Sequence, residues 1–286
     1  MGLIGDWSVA IAAVSVVVAA AQGSAQSPPA PPAAERWQVD GGNDLCTLIR
    51  TVAAPQAGTL FLQTIPGTDV YNFAVSSKSF SLHSTDVPFP VSILLHDADA
   101  RFDKKATSTQ LENDGGTLMR IQGLDAGFVD AFAHSTSVSF ERSTGPIGPF
   151  AYRSAGQATK VFSACVDQYL TDWGADPAQF QPGGKKAVPA KKPESWFSPR
   201  QRGDLMRFLD RRAKGPTELT LRLAIAADGS VSACQDIDQK HGHADIEKAA
   251  CGMLQSQPLF EPARDPAGKA VAGAASYHLT LGGFRR

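Results

Sequence analysis

Residues 219–237 read LTLRLAIAADGSVSACQDI, and this stretch decides how the C-terminal part of the chain is expected to fold. Large apolar residues occupy every second position from Leu219 to Ile225, which is the period of a strand with one buried face. Asp228-Gly229 then predicts a type I′ hairpin turn, because both central residues of that turn need a positive φ, which Asp tolerates and Gly adopts freely. Residues 231–237 form the return strand of this predicted hairpin.

Helix and strand signals flank the hairpin on both sides. Apolar residues at helical spacing predict a helix from about Ala244, with Asp245 as its cap. Upstream, Ser198 followed by Pro199 predicts the start of another helix, since Pro is favoured at the first helical position. A closing strand is predicted over residues 275–281.

The order of these elements resembles the C-terminal domain of TonB, the periplasmic energy-coupling protein. The resemblance covers residues 198–281 and is carried by the segments LRLAIAADGSV, QKHG, IEKAAC, FEPARDPAG and SYHLTL. This chain departs from the family at Lys240-His241-Gly242, where relatives have Ser-Ser-Gly, and at Phe197-Ser198-Pro199, which only approximates a leading Tyr-Pro. Cys234 and Cys251 are additions relative to the usual pattern of the family.

The resemblance implies that residues 198–286 form a small α+β domain that binds a protein partner. In the family, an extended segment of the partner adds to the strand near the C-terminus. An outer-membrane receptor or another envelope protein is the implied partner. Carried over to this chain, the implied binding residues are Ala275, Ser276, Tyr277, His278, Leu279, Thr280 and Leu281.

Residues 37–175 predict a separate, mostly antiparallel β domain, and a chain of 286 residues is long enough for two cores. Residues 157–173 predict an amphipathic helix that ends this domain, with a capping box at Ser154 and Gln157 and a stop at Gly174. The general layout is similar to periplasmic domains of the invasion-associated locus B type. Turn clusters separate the strand-like runs 37–39, 46–52, 59–64, 71–75, 91–96, 107–112, 117–121 and 138–142.

The N-terminus predicts export. Residues 7–21 are uncharged and apolar, and small residues follow as far as Ala25, so residues 1–25 are interpreted as a signal peptide. The alternative is an uncleaved inner-membrane anchor, because the first residues carry Asp6 and no Lys or Arg. Residues 26–36 are a Pro-rich tether. The expected location is the periplasm.

The cysteines agree with an oxidising compartment. Four cysteines allow three pairings, and the pairing of Cys46 with Cys165 and of Cys234 with Cys251 keeps each bridge within one predicted domain. Four buried free thiols are the alternative. Zinc is less favoured, since the chain has no C-x-x-C pair.

Residues 176–197 are rich in Lys, Gly and Pro and predict a linker between the two domains. Ten Lys or Arg residues lie between Lys185 and Lys214 against three carboxylates, so this part of the chain is locally basic. The net charge of −1 gives no general attraction to nucleic acid. Membrane contact is expected only if the N-terminal segment is retained.

Catalytic signatures of the common kinds do not occur in the sequence, and neither a cofactor nor a metal is predicted. His241 and His243, with nearby Asp236, Asp238 or Asp245, make an incomplete metal site and are interpreted as a surface loop. His96, Asp97 and Asp99 could form an acid/base group, but a turn at the end of a strand is the favoured interpretation.

The sequence therefore predicts an α+β protein of two domains that is exported, non-enzymatic and active through protein binding. Two alternatives stay open. A retained anchor would make the chain a divergent TonB-type energy transducer for outer-membrane transport, and an enzyme could reside in the N-terminal β domain.

Overall fold

Antiparallel sheets and four helices build the part of the chain that the computed structural model describes, in agreement with the predicted α+β class. The described residues are 36–80, 82–112, 116–207, 217–237 and 244–281. The predicted signal peptide, or anchor, and nearly all of the Pro-rich tether lie outside them, as do Asp238, His241 and His243. Within these ranges no helix is both long and apolar enough to cross a membrane.

The first region, residues 37–175, is a nine-stranded antiparallel sheet. Its strands are β1 (Gln38–Asp40), β2 (Cys46–Val52), β3 (Gly58–Thr64), β4 (Tyr71–Ser77), β5 (Thr85–His96), β6 (Ala100–Gln110), β7 (Thr117–Leu124), β8 (Ser137–Glu141) and β9 (Ile147–Ala151). The spatial order is β1-β2-β3-β4-β7-β6-β5-β8-β9. Eight of these strands correspond to predicted runs. The sequence did not predict β9, because Gly148 and Pro149 in it are turn signals.

Two helices complete this region, α1 (Ala126–Ala133) and α2 (Ala155–Asp172). Asp125 caps α1, since its carboxylate accepts a hydrogen bond from the Phe128 amide at 3.2 Å. The capping box predicted at Ser154 is wrong, because Ser154 has a left-handed backbone, with φ of 59°, and its side chain makes no capping bond. Gly174, at φ of 98°, follows the helix as predicted.

Aromatic side chains fill the core of the large sheet. Phe73, Phe128, Phe132 and Phe140 are fully buried, and the ring of Phe73 lies within 6.2 Å of the other three, centroid to centroid. Rings at such distances add edge and stacking contacts to the burial of apolar area. The inner face of the sheet and helix α1 therefore share one core.

The second region, residues 176–281, has a three-stranded sheet with two helices on one face. Its elements are β10 (Val188–Pro189), α3 (Pro199–Met206), β11 (Thr217–Ile225), β12 (Val231–Asp236), α4 (Ala244–Leu254), β13 (Phe260–Glu261), β14 (Ala263–Arg264), β15 (Ala270–Val271) and β16 (Gly273–Leu281). The order of the sheet is β12-β11-β16. Ser198 caps α3 in a reciprocal capping box with Gln201, which confirms the predicted start of this helix.

The hairpin between β11 and β12 forms, but its turn is not type I′. Only Gly229, at φ of 84°, has a positive φ there, whereas type I′ would need one at Asp228 as well. The Ala226 carbonyl accepts from the Gly229 amide at 2.9 Å, and the Ala226 amide donates to the Ser230 carbonyl at 2.8 Å. These bonds describe a three-residue loop with Gly in the left-handed position.

One further local prediction is wrong. Asp245 does not cap α4 but lies within its first turn. A carboxylate in that turn still favours the helix, because the N-terminal end of a helix carries a partial positive charge.

The Lys- and Pro-rich stretch 176–197 packs onto the rest of the second region. Strand β10 pairs with β13, and Lys185 exchanges two backbone hydrogen bonds of 2.8 Å with Arg264. Trp196 is buried, with its ring 4.8 Å from that of Tyr277 and 5.1 Å from that of Phe260. The stretch predicted as a linker therefore ends in core residues, because Trp196 and Phe197 are buried among the side chains of the small sheet and its helices.

The two regions are in direct contact. Leu170, Trp173 and Ala175 pack on Ala274, on the face of the small sheet opposite α3 and α4. The guanidinium of Arg222 lies 5.3 Å from the centroid of the Trp173 ring. Residues 36–281, where described, belong to one compact unit. The two regions therefore remain in contact at the predicted domain boundary.

Candidate functional site

Strand β16 is an outermost strand of the small sheet and contains all seven of the predicted binding residues. Its side chains alternate between the core and the opposite face. Ala275, Tyr277, Leu279 and Leu281 are buried in the core, Ser276 is half-buried, and His278 and Thr280 are exposed. Most of the predicted side chains therefore hold the strand in place, and only its backbone and alternate side chains face outward.

The backbone of β16 also alternates in direction. Strand β11 pairs with β16 along its whole length, and the Ser276 amide instead donates to the Gly67 carbonyl at 2.9 Å. Successive residues of a paired strand direct their N–H and C=O groups to opposite sides. The backbone groups of His278 and Thr280 therefore point away from β11, as those of Ser276 do. Among the described residues, no strand pairs with β16 on that side.

Residues 272–276 form the covered half of this edge. The Ala272 carbonyl accepts from the Asp176 amide at 2.9 Å and from the Gln179 side chain at 3.1 Å. Both donors of Ser276 bind the turn between β3 and β4: its amide donates to the Gly67 carbonyl at 2.9 Å, and its hydroxyl donates to the Pro66 carbonyl at 2.6 Å.

Residues 277–281 form the open half, which is supported from the core side. The Tyr277 ring packs against Trp196 and Phe197, and burial raises the pKa of its hydroxyl. Arg202 fixes the segment before α3 by donating to the Phe197 carbonyl at 3.4 Å and to the Glu194 carbonyl. The open half is therefore a strand on a packed support.

The opposite edge of the same sheet, strand β12, is covered by α4 and the residues that follow it. The Val231 amide donates to the Gln257 carbonyl at 3.1 Å, and the Asp236 amide donates to the Glu247 carboxylate at 3.0 Å. The Cys234–Cys251 disulfide also ties this strand to α4. The outward amides at both ends of β12 are therefore occupied, whereas those of His278 and Thr280 in the open half of β16 have no strand beside them within the described residues.

Both predicted disulfides form. Cys46 of β2 is bonded to Cys165 of α2, and Cys234 of β12 is bonded to Cys251 of α4, with Cα–Cα distances of 6.1 and 5.4 Å. Each bridge therefore joins a helix to a strand within one region.

The candidate acid/base residues lie in a turn, as the favoured interpretation expects. Asp97 and Asp99 have φ of 71° and 45°, and the Asp97 carboxylate accepts from the Thr136 hydroxyl. His96 is exposed, and its Nε2 lies 2.8 Å from the Ser139 hydroxyl. No group of three or more metal-ligating side chains occurs in the described ranges, where Asp236 and Asp245 are present but His241 and His243 are not.

A polar cluster on the outer face of the large sheet is a feature that the sequence did not predict. The Arg101 guanidinium lies 2.7 Å from Glu141, 3.1 Å from Asp103 and 2.6 Å from the Ser92 hydroxyl. The hydrogen bond from Ser92, followed by that from Arg101, lowers the pKa of Asp103. The residues of this polar cluster come from three strands, β5, β6 and β8, so their spacing in the sequence does not predict the cluster. Its groups satisfy one another.

Comparison with protein-family models, with curated proteins and with solved structures found no match.

Proposed function

We propose that this chain is an exported, non-enzymatic cell-envelope protein that binds an extended segment of a protein partner at the open half of β16. The observation that carries the proposal is a supported strand whose outward backbone groups, at His278 and Thr280, have no neighbouring strand among the described residues. In this proposal residues 37–175 are a β domain and residues 198–286 are a TonB C-terminal-like domain.

Strand addition supplies the binding chemistry. An added strand would donate to and accept from the backbone of His278 and Thr280, and its alternate side chains would extend the two faces of the sheet. Long exposed edges invite unwanted pairing, and proteins usually shorten, charge or cover them. An edge left open on a packed support is therefore consistent with use by a partner.

The disulfides and the predicted signal peptide support a periplasmic location, since structural disulfides persist in oxidising compartments. An outer-membrane receptor or another envelope protein is the proposed partner. Neither nucleic acid nor a cofactor has a role in the proposal.

Proline substitution tests whether the backbone of this edge binds the partner. His278→Pro removes one outward N–H, and Pro is tolerated on edge strands where that group faces solvent. His278→Ala removes the side chain and keeps the N–H. In capture of partners from a periplasmic extract by the full chain, we expect His278→Pro to bind about tenfold more weakly and His278→Ala to bind like the wild type.

Thr280→Pro is a second variant of the same kind, and we expect it to weaken capture similarly. Thermal melting of each variant controls for loss of the fold. Equal capture by the proline variants, the alanine variant and the wild type, with folding intact, would refute strand addition at this edge.

A further inference from the structure

The turn between β3 and β4 occupies part of the edge that the proposed function assigns to a partner. This turn, residues 65–70, is named the edge plug here. Its Pro66 and Gly67 carbonyls accept both donors of Ser276. The bond from the Ser276 amide to a carbonyl is the bond that an added strand would make at that position.

Hydrogen bonds within the edge plug and next to it hold its shape, and β16 takes no part in them. The Thr68 hydroxyl donates to the Ile65 carbonyl at 2.8 Å, and the Thr64 hydroxyl donates to the Val70 carbonyl at 2.9 Å. The Thr68 amide donates to the Ile65 carbonyl at 3.1 Å. These bonds lie within or next to the turn, so release of the plug from β16 would leave them intact.

The fit of the plug against β16 requires glycine at position 67. Gly67 has φ of 83°, and a Cβ at this position would lie 2.7 Å from the Ser276 nitrogen and 2.8 Å from the Ala275 backbone. These neighbours are backbone atoms of a strand that pairs along its length with β11, so they cannot move aside cheaply. Any other residue at position 67 would therefore push the plug away from β16.

We infer that the edge plug is an autoinhibitory contact that restricts strand addition to the open half of β16. The inference rests on the proposed function. While the plug is docked, an incoming strand meets the outward backbone groups of His278 and Thr280 only. When the plug is released, the Ser276 amide joins them, and the site lengthens toward Ala275. A partner that displaces the plug gains this additional pairing.

Two glycine substitutions separate release of the plug from ordinary backbone strain. Gly67→Ala adds both the strain of a positive φ and the clash with β16. Gly123→Ala is the matched control, since Gly123 has φ of 73° and no atom of the described residues lies within 4 Å of its added Cβ. Ser276→Ala is a milder variant that removes only the hydroxyl bond to Pro66.

The probe is a fluorescein-labelled peptide with the sequence of residues 217–225, TELTLRLAI, which is the strand that pairs with β16 along its inner side. Fluorescence anisotropy with the full-length chain gives its Kd. We expect Gly67→Ala to bind the peptide about tenfold more tightly than Gly123→Ala, with Ser276→Ala changed in the same direction by less. Hydrogen exchange at the Ser276 amide should be faster in Gly67→Ala than in the control.

The outcomes are distinguishable. Peptide binding that His278→Pro weakens, but that Gly67→Ala does not strengthen over Gly123→Ala, overturns the plug and leaves the proposed edge standing. Unchanged exchange at Ser276 in Gly67→Ala also overturns the plug. Absence of peptide binding in every protein, Gly67→Ala included, overturns strand addition and the inhibitory role together.

Discussion

The two regions are alike in their disulfides and differ in the outermost strands of their sheets. In each, a disulfide ties a helix to a strand. In the large sheet the outermost strand β1 has three residues, and the Trp37 indole beside it donates to the Arg153 carbonyl, just past β9, at 2.7 Å. In the small sheet one of the two outermost strands, β16, has nine residues, and among the described residues its outer edge is covered over only part of its length. Within the part of the chain that the structure describes, one edge is therefore short and another is left partly open.

The largest expected effects concern the two disulfides. Replacing Cys46 and Cys165 by Ala should lower the free energy of unfolding by about 5 kcal/mol, whereas replacing Cys234 and Cys251 should cost about 3 kcal/mol. The reason is that the bridges close loops with sequence separations of 119 and 17 residues, and the longer loop restricts the unfolded chain more. Urea denaturation followed by tryptophan fluorescence measures both. A larger loss from the second pair would contradict the loop-entropy argument.

The contact between the regions comes next. Trp173→Ala removes a ring that packs with Leu170 and Ala274 and lies under Arg222, so we expect a loss of about 3 kcal/mol. Because this ring joins the regions, calorimetry should show one unfolding transition in the wild type and two in the variant. Trp173→Phe keeps an aromatic ring and should retain one transition. A single transition in Trp173→Ala would show that other contacts couple the regions.

The smallest expected effect lies in the hairpin turn of the small sheet. A hydrogen bond from the Ser230 hydroxyl, and a second from its amide, hold the pKa of Asp228 below its usual value. A carboxyl group with a lowered folded pKa stabilises the fold above its unfolded pKa, and this stabilisation is lost as pH falls through the folded pKa.

Urea denaturation from pH 7 down to pH 3 tests this charge. Asp228→Asn should be slightly less stable than the wild type at pH 7, and the difference should shrink as pH falls below about 4. In a Ser230→Ala background the hydroxyl bond is gone, so the pH-dependent part of the difference should be smaller. A difference that stays constant with pH would mean that the charge of Asp228 has no role in the turn.

Local patterns predicted most of the elements. The limits of β2, the start of α3 at Pro199 and the glycine after α2 follow from alternation, capping residues, proline and glycine, all of which act within a few positions. The failures concern short stretches. Gly and Pro concealed β9, and the dihedral angles at Ser154 and Asp228 depend on how neighbouring elements pack rather than on residue type alone.

The candidate site was likewise predicted only in part. Its strand was predicted, because Ala275 to Leu281 alternate in polarity, but its division into a covered and an open half was not. The hydrogen bond from Ser276 to Pro66 joins residues 210 positions apart. Nothing in the sequence PGTD at residues 66–69, or in the sequence around Ser276, predicts that these two segments are in contact.

By itself, the sequence determined most of the strands and helices and the α+β class, because periodicity and turn chemistry act over short distances. It also predicted a disulfide pairing that the structure has, because that pairing keeps each bridge within one predicted domain. The tertiary structure alone decided which part of β16 is covered, that residues 176–197 pack against the small sheet, and that Trp173 joins the two regions. These features depend on surfaces from distant parts of the chain that meet only after folding. Whether a strand edge is open is decided by what packs beside it, and that neighbour is encoded elsewhere in the sequence.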